Sequence, residues 1–151
     1  MKLFQAVVVI LSCLLATCCC SWQERREPLY PTNVVGWKNY EKGGTKMRGS
    51  FVLHKGGTID NGEIRIKVLD LMPADPCAEP GTFNYQARVK FEFIRMIDEQ
   101  LVCEDIFPEN GGGSFSPECG EYLSKIGIFG VGVRAINVKE SWVFFELSGH
   151  Y

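Results

Sequence analysis

Ile64-Arg65-Ile66-Lys67-Val68 and, beyond a proline-rich interruption, Ala87-Arg88-Val89-Lys90-Phe91-Glu92-Phe93 are the stretches whose reading decides the fold. In both, apolar and charged residues alternate, which puts the two kinds on opposite faces of an extended chain. Such a strand buries one face against a second layer and leaves the other in water. Just upstream, Asp60-Asn61-Gly62-Glu63 supplies an Asn-Gly pair that accepts positive φ, the chemistry of a tight hairpin. Before it comes a short apolar run, Phe51-Val52-Leu53-His54. Between the two deciding stretches, Pro73, Pro76 and Pro80 require a loop.

Past Phe93 the signal divides. Phe93, Ile97 and Leu101 fit helical spacing, whereas two strands turning near Asp98-Glu99 continue the pattern already established; the second reading is adopted. Tyr122 to Phe129 is apolar, and Val131, Val133 and Ala135 then alternate. The last strand, Ser141 to Leu147, has Trp142 and Phe144 on one face and Val143, Phe145 and Leu147 on the other. Two apolar faces imply a central place in a sheet. About seven strands, short turns and no long helix predict an all-β chain, a single antiparallel β-sandwich or small barrel over residues 50–151.

The 151 residues are 46% hydrophobic and 23% charged with a net charge of −2. Disordered chains and multi-span membrane proteins are composed differently. A net charge of −2 argues against nucleic acid as a partner, because it offers no overall basic surface to neutralise phosphates.

Met1-Lys2 and the apolar run from Leu3 to Ala16 have the form of a secretory signal peptide over residues 1–20, too short to span a bilayer. Leu15-Ala16-Thr17-Cys18 resembles the lipobox of bacterial lipoproteins, with Thr17 where that pattern carries Gly, Ala or Ser. The resemblance implies lipidation at Cys18 and membrane attachment. Cleavage near Cys20 would instead release a soluble protein. Both routes lead to an exported product, extracellular, at the cell surface or periplasmic. Residues 21–49 hold scattered Pro and Gly without periodicity, a tether against which Trp37 and Tyr40 dock onto the body.

Export allows cysteines to pair. Three lie beyond the signal, so at most one bridge can form among Cys77, Cys103 and Cys119. Cys103–Cys119 would clip the base of a Gly-rich loop, and Cys77–Cys103 competes with it. The leftover cysteine reads as a half-buried inert thiol.

Residues 22–58 carry seven basic side chains against three acidic, whereas 98–121 carries seven acidic and no basic ones. An acidic loop including Glu104, Asp105, Glu109 and Glu118 could dock a basic partner or merely keep the surface solvated.

The motifs that resemble chemistry fall short of it. Gly130-Val131-Gly132-Val133-Arg134-Ala135 fits the dinucleotide fingerprint, but β-branched residues follow where a helix must open, so a strand bend or bulge explains it better. Gly111-Gly112-Gly113-Ser114 lacks the lysine of a phosphate loop. The two histidines, His54 and His150, show no nucleophile spacing, and a Cys103/His54 pair has nothing to recommend it. No metal-ligand spacing occurs, so neither a metal nor another cofactor is expected. Glu146 shares a face with Trp142 and Phe144 and reads as an ion pair with a nearby arginine rather than as a glycosidase acid.

These features point to a non-catalytic binding module for a protein or carbohydrate, with Trp37, Tyr40, Tyr85 and Tyr122 as its loop aromatics. The alternatives are an inhibitor or effector acting through the acidic 98–121 loop, and a small hydrolase built on His54 or Cys103.

Overall fold

The computed structural model describes residues 26–34, 36, 38–39, 47–113 and 115–148. Nine strands run through them: β1 (Lys38–Asn39), β2 (Met47–His54), β3 (Thr58–Asp60), β4 (Ile64–Met72), β5 (Arg88–Arg95), β6 (Gln100–Pro108), β7 (Gly112–Gly113), β8 (Gly130–Asn137) and β9 (Trp142–Ser148). They form a five-stranded sheet in the order β1-β2-β9-β8-β7 and a four-stranded sheet in the order β3-β4-β5-β6. Every pairing is antiparallel. The sheets remain separate, so the architecture is a sandwich and not a small barrel. β9, apolar on both faces, occupies the middle of its sheet.

Alternation becomes burial as the sequence pattern demands. Ile64, Ile66 and Val68 of β4 and Val89, Phe91 and Phe93 of β5 have no exposed surface, while Arg65, Lys67, Lys90 and Glu92 face water. Across the interior lie Phe51, Val133, Val143, Phe145 and Leu147. Phe91 ties the layers together, its ring centroid 4.7 Å from Phe145 in the other sheet and 6.0 Å from Phe107. Outside the four-stranded sheet, Lys67–Glu92 at 3.8 Å and Lys90–Glu104 pair opposite charges across neighbouring strands.

The turns follow their chemistry. At the β3–β4 hairpin Gly62 takes φ +86°, and the Asn61 side-chain oxygen accepts the N–H groups of Glu63 and Ile64. β5 and β6 are strands joined by a short turn at 96–99, so the helical alternative for residues 93–105 does not form.

Three expectations need correction. Residues 98–121 are not a protruding loop: they contain β6, the Gly112–Gly113 strand and the start of a helix, α1 (Pro117–Lys125). Glycines at 111–113 and Pro117 favour a loop in isolation, yet proline is compatible with a helix's first turn. Pro117 occupies that place, and the Ser116 N–H before it donates to Asp105 Oδ2 at 2.7 Å. The sheets also begin earlier than residue 50, with β1 and the first residues of β2 inside the stretch read as tether. Finally, the expected Cys103–Cys119 bridge forms, with Cα atoms 5.4 Å apart, but Cys77 is exposed and disulfide-bonded rather than an inert half-buried thiol.

The helix has a structural task. β6 is an edge strand, and open edges invite pairing with other chains. The disulfide, the Asp105–Ser116 bond and the buried Leu123 hold α1 against β6. Among the described residues no helix is long and apolar enough to cross a membrane.

Candidate functional site

A trough opens on the outer face of the five-stranded sheet, where β8 carries two glycines. Val131 and Val133 point into the core, so the alternate positions, Gly130 and Gly132, face outward. Neither has a side chain, and a Cβ added at Gly132 would meet nothing within 4 Å. The result is a floor without side chains, partly exposed at Gly132 and buried at Gly130. Their cross-strand partners on β9 are Ser148 and Glu146, which supply one wall.

The β8–β9 register shifts between Val133 and Ala135. Such a bulge re-aims the side chain it carries. Arg134 reaches back across the strands, its Nε and Nη2 donating to Glu146 Oε2 at 2.8 and 2.6 Å. The pair engages one carboxylate oxygen and two of three guanidinium nitrogens. Both side chains are solvent-accessible, 60% and 41% exposed, so a ligand can reach the groups left over. Ser148 Oγ donates to the Gly130 carbonyl at 3.2 Å.

The opposite wall is the corner between β6 and β7. Asn110, at φ +55°, donates its N–H to the Val133 carbonyl at 2.9 Å, and the Val133 N–H donates to the Gly111 carbonyl at 3.3 Å. Beside it Glu109, 3% exposed, turns inward and accepts the Ile136 N–H at 2.8 Å. These bonds fix the corner to β8. The cavity measures about 280 Å³ and is lined by Asn110, Gly111, Gly130, Arg134, Glu146 and Ser148 among others. That is just below the range for small-ligand sites, about 300–1,000 Å³.

The side chains singled out from sequence do not converge. Tyr85 sits on a 3-10 turn (Phe83–Tyr85) in the β4–β5 loop, exposed beside Phe83, over whose ring Arg88 lies at 5.6 Å. Tyr122 is half-buried on α1, packs on the core and lies under Arg95 at 5.9 Å. The loop precedes β5 and Arg95 ends it, so the two tyrosines occupy opposite ends of that strand. Trp37, Tyr40 and Cys18 lie outside the described residues.

The acidic residues are likewise dispersed. Glu104 pairs with Lys90, Asp105 holds the start of α1, Glu109 is buried and Glu118 stands exposed in the first turn of α1. Cys103 is in a disulfide and presents no thiolate to pair with His54. Among the described residues no group of three or more His, Cys, Asp and Glu side chains could hold a metal ion.

Of the trough residues, Glu146 was paired with an arginine from sequence, and that arginine is Arg134. Asn110 and Ser148 gave no signal. Gly130 and Gly132 did, since two glycines at i and i+2 within a strand clear one face of it. No family model matches the chain, and neither a curated protein nor a solved structure matches it.

Proposed function

We propose that this is an exported β-sandwich binding module, lipid-anchored or released, that holds its ligand in the glycine-floored trough and transforms nothing. The observation that carries the reading is the open Arg134–Glu146 pair beside a floor without side chains, with Asn110 and Ser148 alongside. Guanidinium, carboxylate, carboxamide and hydroxyl together offer donors and acceptors close to one another, the pattern that adjacent hydroxyls satisfy. A glycan unit is therefore the ligand class that fits best, and the volume suits a single sugar ring.

The test is an amide NMR titration with a panel of glucose, galactose, mannose and N-acetylglucosamine. At about 10 mM sugar, a site with a Kd of about 1 mM is mostly filled. The Gly130, Gly132 and Ser148 amides are expected to shift in concert with at least one sugar. Shifts confined to other surfaces, or none with any sugar, would overturn the proposal.

A further inference from the structure

The outer face of the five-stranded sheet changes character along β9. Trp142, Phe144, Glu146 and Ser148 alternate there with Val143, Phe145 and Leu147, which are buried in the core. Glu146 and Ser148 belong to the trough. Two residues before Glu146, about 7 Å back along an antiparallel strand, stands Phe144. Its cross-strand neighbours are Ala135 of β8 and Val52 of β2. All three are partly exposed, and together they form an apolar step next to the polar trough. The bulge that sends Arg134 back to Glu146 gathers the charge on the trough side of this step.

The next row closes the face. Trp142 opposes Asn137 and His54. It is 1% exposed although it lies outside the core cluster. Tyr30 packs edge-on against it, with ring centroids 5.4 Å apart, and Glu140 Oε2 accepts its Nε1–H at 2.9 Å. The step is therefore one row of side chains wide, with the polar trough on one side and the Tyr30–Trp142 contact on the other. Three partly buried side chains fall far short of the roughly 800 Å² per partner that a stable protein interface covers. They match a single sugar ring instead. Such a ring carries hydroxyls around its rim and C–H groups on its face, and an aromatic side chain accepts that face through its broad surface and its negative quadrupole.

We propose that Phe144 is a second recognition element, taking the apolar face of the ring that adjoins the one in the trough, so that the ligand is a glycan of at least two units. The proposal rests on the reading of the trough as a sugar site and deepens it from a single ring to a chain. The two positions lie in line on β9, so a linkage that keeps successive rings extended lets both be filled together. Phe144 then sets specificity for chain length. A monosaccharide uses the trough alone, whereas a disaccharide also covers the step formed with Ala135 and Val52. Neither position calls for a bond to be made or broken.

The experiment is an NMR titration that compares each monosaccharide of the panel with its β-linked disaccharide: cellobiose, galactobiose, mannobiose and diacetylchitobiose. At least one disaccharide is expected to bind about tenfold more tightly than its monosaccharide. It should shift the Val52, Ala135 and Phe144 amides as well as those of Gly130 and Gly132, and its C–H protons should give Overhauser contacts to the Phe144 ring. Phe144→Thr, which keeps a β-branched residue in the strand, should bind the monosaccharide as the parent does and lose the gain of the disaccharide. Phe144→Tyr, which keeps a ring, should retain that gain. The proposal is overturned if no disaccharide binds more tightly than its monosaccharide, or if the gain survives in Phe144→Thr. A gain without Overhauser contacts to the Phe144 ring would also overturn it, whether or not the threonine variant folds. A hexyl glycoside that binds more tightly than the disaccharide would assign the step to an apolar tail and overturn the glycan chain. Trough amides that respond to no monosaccharide would overturn the underlying sugar site itself.

Discussion

Glu109 Oε1 accepts the backbone N–H of Ile136 at 2.8 Å, 27 positions along the chain. The acidic side chain does what a neighbouring strand would do. β7 pairs with β8 only through Gly112–Gly132 and Gly113–Val131, and the carboxylate serves the strand further along. A buried N–H left without an acceptor costs about 1–3 kcal/mol. Glu109→Ala should therefore lower the unfolding free energy by about that amount, read as an earlier urea midpoint. Glu109→Gln, which retains an acceptor oxygen, should lose less. An alanine variant as stable as the parent would show that the bond does not support the edge.

The Cys103–Cys119 disulfide closes a loop across 16 positions. Loops of that size gain about 3 kcal/mol from the bridge in the chain-entropy model. The double Cys→Ser variant should lose stability of that order. Hydrogen exchange should locate the change: amides of α1 are expected to exchange faster before those of β5 do. Uniform acceleration throughout the domain would contradict the assignment of the bridge to holding α1 on the β6 edge.

Phe91 has no exposed surface and packs against Phe93, Phe107 and Phe145. Phe91→Ala should cost about 3–5 kcal/mol, the range for removing a buried aromatic ring. Phe83→Ala, at an exposed ring of the β4–β5 loop, should change stability by no more than about 0.5 kcal/mol. Chemical denaturation of the two variants measures the contrast.

Among the described residues, Asp70 and Asp98 titrate below the ordinary carboxylate range. The Lys55 ammonium bonded to Asp70 lowers its pKa, and the Arg95 guanidinium bonded to Asp98 does the same there. A depressed folded-state pKa gives stability that is present above the unfolded value near 3.9 and lost as pH falls through the folded one. Both groups are solvent-accessible, so the effect on stability is small. It should be visible as low side-chain carboxyl midpoints in an NMR titration, with Lys55→Met returning Asp70 towards its usual value. An Asp70 midpoint unchanged by that substitution would contradict the pairing.

The layers of the sandwich were legible wherever a strand is wet on one side, because Ile64 to Val68 and Ala87 to Phe93 must sort polar from apolar residue by residue. α1 was not. It has nine residues and buries few of them, and its hold on the domain comes from Asp105 and Cys103, both distant in sequence. Glu109 was legible only as charge, since its partner is a backbone group on a strand that forms later in the chain. The trough lay half in view: the glycine pair of β8 matches a cofactor motif letter for letter, and the strand around it gives those letters another meaning. Asn110 and Ser148 join the site through register alone, which no local pattern encodes.

Comparison of Gly132→Val with the parent protein in the sugar titration tests the site most directly. The substitution adds a β-branched residue to a strand position with open space beyond it, so the fold and its stability should be unchanged. The side chain would stand where the ligand is assigned. The account predicts at least a tenfold weaker Kd, a loss of about 1.4 kcal/mol. A folded Gly132→Val protein that binds the same sugar as tightly as the parent would contradict it.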